Sequence, residues 1–390
     1  MQLSRELARR GHDVLHLHFA EFQTPKGRLE VGPEDPATLA IEPVSLDQPF
    51  AKFSLFKRRF QEIEIGRRIA ARVEAFRPDV VVGCNLPLDA LWKLVASCQK
   101  KKLPFVFWQQ DIYSDAIARI LTRKLGLPGR LLGVHYKRIE RRALRASAAI
   151  VVIADEFISA LVNDFGVSVA SAHVIENWAP LDDLTPRQKS NAWTRAQGLD
   201  GAEVVLYSGT LGLKHNAGKI FAVAQALLSR PNAMLVVTSE GASANWLAGE
   251  VRRTGLQNVR ILPFQPFEAY PDVLGGADVL IALLESDAGK FSVPSKVLSY
   301  LCAERAIVLS APQDNLASRI VSKSGAGAVV APDDVEGFTA AVLRMLGDPS
   351  TRNSAAHNGR RYAEKTFDIT AIGDRFEKIL VEAARSGKSN

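Results

Sequence analysis

A lysine and two serines stand at the start of a predicted helix, within residues 291–309. They are Lys296, Ser292 and Ser295, and Pro294 lies among them. Proline suits the first turn of a helix, because the backbone N–H that it lacks has no partner there. Free N–H groups, hydroxyls and an ammonium group at one helix N-terminus form a site for a phosphate or a diphosphate. The alternative is an ordinary crossover helix whose lysine is merely solvated.

A second loop of this kind follows the apolar run 204–208. It reads GTLGLKHN from Gly209 onward and leads into a predicted helix, residues 217–228. Two glycines permit a tight turn and a close backbone approach, and Lys214 can reach an anion at the end of the strand. Such turns are common between strands and helices, so the loop alone is a weak signal. Together, Lys214 and Lys296 bring two positive charges and two helix N-termini to one sheet edge.

The elements that must position these residues alternate along the whole chain. Short apolar runs are separated by helix-length segments, which predicts parallel sheets built from strand–helix–strand units. The predicted fold is α/β, with two doubly wound domains of Rossmann type and a ligand cleft between them. The predicted strands are residues 13–19, 79–83, 104–108, 148–154, 173–176, 203–208, 233–239, 259–262, 278–284, 306–309 and 326–330.

The two predicted domains meet near residue 180. At 390 residues the chain is too long for one compact core. The segment 177–186 holds two prolines and three polar turn formers, which interrupt both the strand and the helix period. We therefore interpret this segment as the linker between the domains.

The first residues have the pattern of a helix. Residues 2–10 have helical spacing, Gly11 fits the stop, and an apolar strand follows at once. A doubly wound domain normally begins with a strand and a Gly-rich turn ahead of its first helix. We therefore expect that the first strand and its loop are missing and that the natural start lies upstream of Met1. The alternative is a domain without that strand.

Composition excludes several classes of protein. A hydrophobic content of 47% with 23% charged residues is that of a globular protein. No apolar run approaches the roughly 18 residues of a membrane-spanning helix, and the first residues carry no apolar signal core. Three cysteines, Cys84, Cys98 and Cys302, lack the spacing of metal ligands. We predict a cytoplasmic protein with reduced cysteines and no metal site.

Positive charge is concentrated in the first half. Residues 1–180 hold 26 Lys and Arg against 20 Asp and Glu, and residues 119–145 hold nine bases against a single acid, Glu140. This excess suits an anionic partner: nucleic acid, an anionic lipid surface or a phosphorylated acceptor. Nucleic acid fits least, because aromatic residues are not interleaved with the bases, and we predict no such partner. The alternative is a solvated basic face.

Five segments carry a resemblance to a known family. In chain order they resemble the motifs of glycosyltransferase family 4, and more narrowly the branch that builds bacterial exopolysaccharides such as colanic acid. The family implies a GT-B fold, with an acceptor domain at 1–180, a nucleotide-sugar domain at 181–370 and a final helix, within 371–390, that crosses back to the first domain. The segments are 107–114 (FWQQDIYS), 174–178 (VIENW), 206–214 (LYSGTLGLK), 258–263 (NVRILP) and 293–300 (VPSKVLSY).

The resemblance implies a donor site built from both lysine loops. Gly209 and Lys214 would line the diphosphate of a nucleotide-sugar, Lys296 and Ser295 would bind it from the second loop, and Leu262 would lie near the base. Lys214 and Lys296 would also act in catalysis. The implied donor-binding residues are Gly209, Thr210, Lys214, Ser239, Gly241, Leu262, Pro263, Phe264, Val293, Pro294, Ser295, Lys296 and Ser299.

Asp111 is the catalytic residue that the resemblance implies in the first domain. It follows an apolar run and would face the transferred sugar or the acceptor hydroxyl. The alternative is a helix N-cap, because residues 112–120 suit a helix.

Four positions depart from the family pattern. Phe291 and Ser299 stand where many members have paired glutamates, so the ribose contact expected of the second glutamate is absent or weaker. Thr210 replaces an arginine and Gln110 replaces a histidine. Because the exopolysaccharide branch tolerates such changes, we interpret them as divergence within an active family.

The predicted activity is transfer of a sugar from a nucleotide-sugar to an acceptor hydroxyl, with a lipid-linked or other saccharide as acceptor. The resemblance implies retention of configuration. No Asp-x-Asp motif accompanies the donor segments, so lysines are expected to stabilise the departing diphosphate, and no cofactor is predicted. Two rival functions are a nucleotide-sugar epimerase of the same architecture and a non-catalytic nucleotide-sugar-binding protein. An oxidoreductase is disfavoured, since no Gly-x-Gly-x-x-Gly follows a strand.

The basic stretch 119–145 predicts a surface that docks on membranes. Its bases alternate with Leu, Ile and Val, which supplies apolar side chains for the headgroup region and charges for anionic lipid. We therefore expect a peripheral protein on the inner face of the plasma membrane. The alternative is that these apolar residues pack inward and only the arginines contact solvent.

Overall fold

The computed structural model describes residues 1–21, 29–51, 54–212, 216–286 and 295–388. The chain divides into two compact units. Unit 1 comprises Met1–Glu176 together with Ile369–Asn390, and unit 2 comprises Asn177–Asp368. The segment that is predicted as a linker therefore begins at the first residue of unit 2.

Strands and helices alternate through both units. The strands are β1 (Val14–Phe19), β2 (Leu39–Val44), β3 (Val81–Cys84), β4 (Phe105–Gln109), β5 (Ala149–Val152), β6 (Ala172–Val174), β7 (Glu203–Ser208), β8 (Ala233–Thr238), β9 (Val259–Leu262), β10 (Val279–Leu283), β11 (Ala306–Ser310) and β12 (Gly327–Val330). The helices are α1 (Gln2–Arg9), α2 (Leu55–Phe76), α3 (Leu88–Lys100), α4 (Tyr113–Leu125), α5 (Leu127–Ala146), α6 (Asp155–Ala160), α7 (Ala192–Ala196), α8 (Ala217–Ala226), α9 (Ala242–Thr254), α10 (Tyr270–Gly275), α11 (Ser295–Cys302), α12 (Leu316–Ser324), α13 (Val335–Gly347), α14 (Pro349–Thr366) and α15 (Ile369–Lys388).

The described residues of unit 1 form two parallel sheets. β1 pairs with β2, and β3, β4, β5 and β6 form a four-stranded sheet in that order. The sequence analysis misses β2, because Pro43 lies within it and proline cannot donate to a neighbouring strand. The proline is tolerated because β2 pairs only with β1 among the described residues, with Pro43 opposite His18. The expectation that a first strand is missing stays a prediction.

Unit 2 holds one six-stranded parallel sheet, in the order β12-β11-β10-β7-β8-β9. Its central strands are buried on both faces, which explains why they are continuous apolar runs in the sequence. The winding direction reverses between β7 and β10, and the carboxyl ends of such strands are where doubly wound sheets bind ligands. The predicted α/β class, with two doubly wound domains, is confirmed.

The last helix, α15, belongs to unit 1. The fully buried ring of Phe376 packs edge-on against Trp108 of β4, with ring centres 5.0 Å apart. Arg10, just after α1, donates from Nη1 to Asp374 at 2.6 Å and to Glu377 at 2.8 Å. The first and last helices are therefore joined within one unit. Within the described ranges, no helix combines the length and the apolar character needed to cross a membrane.

Candidate functional site

The loops that follow β7, β8 and β9 lie side by side at the carboxyl edge of the sheet in unit 2. The N–H of Gly209 donates to the carbonyl of Thr238 at 3.0 Å. The N–H of Ser239 donates to the carbonyl of Leu262 at 3.0 Å. The fold therefore brings together three of the segments that the sequence analysis assigns to the donor site.

Gly209 allows the backbone of its loop to lie directly against a lysine side chain. Its φ of +124° falls in a region that residues with a Cβ rarely adopt. A Cβ at this position would touch Cε of Lys296 at 3.4 Å. Glycine at this position thus permits the backbone path of the loop and leaves room for the Lys296 side chain beside it.

Lys296 reaches this loop from the first turn of α11. Its Nζ lies 3.9 Å from the centre of the Tyr207 ring and 3.4 Å from the carbonyl oxygen of Thr210, and it donates to the Tyr207 hydroxyl. No carboxylate in the described part of the chain pairs with this group. Burial lowers the pKa of Lys296 to about 7. Among the described residues its partners are an aromatic ring and neutral oxygens, an environment that suits an incoming anion.

Two tyrosines fix the loop that Lys296 contacts. The hydroxyl of Tyr300, on α11, accepts from the N–H of Ser208 at 2.9 Å and donates to the carbonyl of Ser208 at 3.1 Å. The Tyr207 hydroxyl donates to the carbonyl of Thr210 at 2.9 Å. Tyr300 follows Lys296 by one helical turn. One face of α11 therefore supplies both the ammonium group and the hydroxyl that binds the backbone of Ser208. The sequence analysis assigns no role to either tyrosine.

The residues after β8 form the framework of the same edge. Ser239 is 3% exposed, and its hydroxyl accepts from the N–H of Leu211 at 3.0 Å. Oε1 of Glu240 accepts from the N–H of Phe264 at 3.1 Å. Gly241 has a φ of +104° and is the N-cap residue of α9, where it has no side chain to cap the helix. Ser239 therefore supports the loop after β7, whereas Gly241 stands at the N-terminus of α9.

The segment after β9 presents an apolar surface to solvent. Leu262 is half-buried at the end of the strand, and Pro263 is exposed. The ring of Phe264 is 37% exposed. An exposed aromatic ring beside an anion site can stack on a flat ligand group such as a nucleotide base.

The second lysine loop and the start of the α11 segment are only partly described. Ser295 is exposed at the first position of α11, and Ser299 is half-buried one turn later. Lys214, Val293 and Pro294 lie outside the described residues. Their assignments stay predictions.

An ion pair between a buried lysine and a half-buried glutamate, which the sequence analysis misses, stabilises this edge. Lys219, on α8, is 1% exposed; its Nζ donates to Oε1 of Glu285 at 2.8 Å and to Ser310 at 3.3 Å. The same Glu285 oxygen accepts from the N–H of Asn216 at 3.2 Å, and Asn216 in turn caps α8. The N–H of Gly218 in the first turn of α8 therefore already has a protein acceptor, the Asn216 side chain, at 2.9 Å.

Asp111 lies just beyond the carboxyl end of β4 in unit 1. It is half-buried, and its Oδ1 accepts from the N–H of Ile112 at 2.8 Å. Helix α4 begins at Tyr113 with Ile112 at the N-cap position, and no side chain at that position caps it. The N-cap alternative for Asp111 is therefore wrong, and its carboxylate stands at a sheet edge of the kind that binds ligands.

Solved glycosyltransferase structures of the GT-B fold are similar to this protein. Sucrose-phosphate synthase from Thermosynechococcus elongatus is similar with a TM-score of 0.74 at 16% identity, over 99% of this chain and 92% of that one. Anabaena HepE, solved with UDP and glucose, is similar with a TM-score of 0.69 at 14% identity, over 94% of this chain and 99% of that one. The fold of this protein is GT-B.

Sequence models identify the family. The model described as Glycosyltransferase Family 4 matches residues 1–183, and the model described as Glycosyl transferases group 1 matches residues 202–348. The chain belongs to glycosyltransferase family 4, as the five motifs predict. The colanic acid biosynthesis protein WcaI of Escherichia coli (strain K12) is 27% identical over 170 residues. That match spans 43% of this chain and 40% of WcaI, so it covers less than half of either protein.

The lowered pKa of Lys296 predicts that anion binding depends on pH. Its pKa is about 7 in the free protein, and a bound anion favours the charged form. The affinity for inorganic pyrophosphate should therefore be highest below that pKa and should weaken by up to about tenfold for each pH unit above it. The charge of pyrophosphate itself increases over this range, so a falling affinity must come from the protein. Titration calorimetry between about pH 6 and about pH 9 measures the affinity and the proton uptake.

Two variants control this measurement. Lys296→Met should lose most of the affinity together with the proton uptake. Lys323→Met, at an exposed lysine on α12, should retain both. A wild-type affinity that stays constant or rises with pH would contradict the assignment of Lys296 as the anion-binding group.

Proposed function

We propose that the protein transfers a sugar from a nucleotide-sugar to an acceptor hydroxyl. The observation that carries the proposal is the ammonium group of Lys296, held over the Gly209 loop without a carboxylate partner among the described residues. Membership of glycosyltransferase family 4 supports it, as does the UDP in the structure of HepE. In this proposal unit 2 binds the donor and unit 1 binds the acceptor.

Sugar transfer needs positive charge where the leaving nucleoside diphosphate becomes more negative. Lys296 would donate to a phosphate oxygen, and the N-terminus of α11 would add the positive end of its dipole. Tyr207 and Tyr300 hold these groups in place before the reaction, so little reorganisation is needed. Lys214 would supply a second charge. We propose that these charges do the work of a divalent ion and that transfer needs no metal or cofactor.

The remaining assignments concern the sugar and the acceptor. Asp111 would face the transferred sugar or the acceptor hydroxyl from unit 1, and Phe264 with Leu262 would contact the base. The reaction would retain the anomeric configuration, with the acceptor attacking on the face that the diphosphate leaves. The similarity to WcaI supports a saccharide acceptor in exopolysaccharide synthesis.

Release of nucleoside diphosphate tests the proposal. The protein is mixed with UDP-sugars and GDP-sugars, with and without saccharide acceptors, and free nucleoside diphosphate is followed. We expect release that depends on an acceptor. Lys296→Ala should lower kcat/KM by about 10-fold to 100-fold, because it removes a charge-assisted hydrogen bond, and Lys323→Ala should leave it unchanged.

Two other results would contradict this function. Conversion of one nucleotide-sugar into an isomer, without release of nucleoside diphosphate, would identify an epimerase. Binding of nucleotide-sugars without any turnover, across lipid-linked and soluble acceptors, would identify a binding protein.

We propose further that the acceptor is lipid-linked and that unit 1 docks on an anionic membrane. The helices α4 and α5 expose several large apolar side chains, of which Leu127 and Leu131 are 77% and 73% exposed. Exposed bases stand among them, which is the composition of a membrane-interface surface. We define the α4–α5 patch as Arg119, Ile120, Arg123, Lys124, Leu125, Leu127, Arg130, Leu131, Leu132 and Val134.

The later part of the same basic stretch has a structural role. Ile139 and Leu144 are buried. Arg141 donates to the carbonyl of Asp164 at 2.6 Å, and Arg145 donates to the carbonyl of Phe165 at 2.9 Å. In this part of α5 the apolar side chains therefore pack inward, as the alternative describes. The membrane proposal rests on the α4–α5 patch alone.

Co-sedimentation with lipid vesicles tests the docking. Binding should require anionic lipid and fall with added salt, because each base near the surface contributes about 1 kcal/mol. Changing Arg123, Lys124 and Arg130 to Gln should reduce binding strongly, and so should Leu127→Gln with Leu131→Gln. Changing three exposed bases outside the patch, Arg67, Arg77 and Lys100, to Gln alters the net charge equally and should have little effect. Equal recovery in the supernatant with neutral and anionic vesicles at low salt would rule out the docking.

A further inference from the structure

Glu140 is a fully buried carboxylate on α5, and the function proposed above gives it no role. Its Oε1 accepts from the side-chain amide of Gln109 at 3.3 Å and from the N–H of Tyr113 at 3.1 Å. Its Oε2 accepts from the N–H of Ser114 at 3.0 Å. In the described part of the chain, no lysine or arginine pairs with it. All three hydrogen bonds thus come from neutral donors.

These partners lie on both sides of Asp111. Gln109 is the last residue of β4, and Tyr113 and Ser114 are the first two residues of α4. One carboxylate therefore holds both ends of the short turn, residues 110–112, that carries Asp111. The Tyr113 hydroxyl adds a further restraint, because it donates to Oδ1 of Asn85 at 2.9 Å, at the end of the neighbouring strand β3.

The chemistry of this arrangement requires a carboxylate. The first N–H groups of a helix have no partner within the helix, and a negative charge at that end is stabilised by the helix dipole. Three donors converge on the side chain of Glu140, so both of its terminal atoms must be acceptors. A glutamine of the same shape offers one acceptor oxygen and would turn its own NH₂ group toward a donor. Burying the Glu140 carboxylate without a cation costs free energy. Its three hydrogen bonds to the turn offset part of that cost.

We infer that Glu140 is the positioning residue for Asp111 in sugar transfer. Glu140 does not touch the substrate; it fixes the turn between β4 and α4, so that the Asp111 carboxylate keeps one orientation at the sheet edge. The inference rests on the proposed function. It predicts that a change at Glu140 acts on turnover through Asp111 and leaves donor binding in unit 2 intact.

A double-mutant cycle of Glu140→Gln and Asp111→Asn tests the inference in the full-length protein. Glu140→Gln alone should lower kcat by about tenfold or more. The reason is that the rate falls steeply when a group near the reacting atoms, here the Asp111 carboxylate, is misplaced. The KM for the donor should stay within about twofold. In the Asp111→Asn background, Glu140→Gln should cost less than about threefold more, because residues that act as a unit are not additive.

Glu62→Gln is the matched control. Glu62 is another buried carboxylate of unit 1, 6% exposed, and its partner is Arg58 on the same helix α2. The control should lose stability and leave kcat within about twofold of the wild type. Circular dichroism establishes that each variant is folded at the assay temperature. Glu140→Asp, which keeps the charge and shortens the reach, replaces Glu140→Gln if the latter unfolds and should lower kcat in the same direction.

The outcomes separate the inference from the function on which it rests. Normal kcat in a folded Glu140 variant, or a loss that multiplies fully with that of Asp111→Asn, would overturn the positioning role. A wild-type protein that releases no nucleoside diphosphate with any donor and acceptor would instead overturn the proposed function.

Discussion

The contact of the Lys296 ammonium group with Tyr207, made without a counter-ion in the described residues, is the interaction around which the carboxyl edge of the sheet in unit 2 is arranged. Unit 2 contains a more deeply buried lysine, Lys219, and the two differ in one respect. Lys219 has Glu285 at 2.8 Å, as a buried charge requires. Lys296 has an aromatic ring and neutral oxygens, and burial lowers its pKa to about 7. Desolvation thus disfavours the charged form of Lys296, and a bound anion would favour it, as the proposed function requires.

Two carboxylates of unit 1, those of Glu140 and Asp111, also differ in burial and in their hydrogen bonds. Glu140 is enclosed, and its hydrogen bonds go to the turn between β4 and α4. Burial raises the pKa of Glu140, whereas the hydrogen bonds from Tyr113 and Ser114 act in the opposite direction. Asp111, in that turn, keeps contact with solvent and bonds only its neighbour Ile112 among the hydrogen bonds described above. In each unit, a buried charged group with several hydrogen bonds to the framework therefore lies beside a more exposed charged group at the sheet edge.

The sequence predicts much of the fold because parallel strands buried on both faces are continuous apolar runs. The strand β10, whose residues are all buried, is recognisable in this way. The edge strand β2 is missed because its proline and its partial exposure break that pattern. Gly209 and Lys296 are predicted as donor-site residues because glycine and lysine carry local signals in a motif. Tyr207 and Lys296 are 89 residues apart, and Gln109 and Glu140 are 31 apart. Contacts of this kind depend on strand order, which no local pattern encodes.

A crystal structure of the protein with UDP tests the central claim most directly. The account predicts density for the diphosphate at the carboxyl edge of β7, with a phosphate oxygen about 3 Å from Nζ of Lys296 and the base beside Phe264. A diphosphate bound elsewhere, with Lys296 still contacting only Tyr207 and Thr210, would contradict the account.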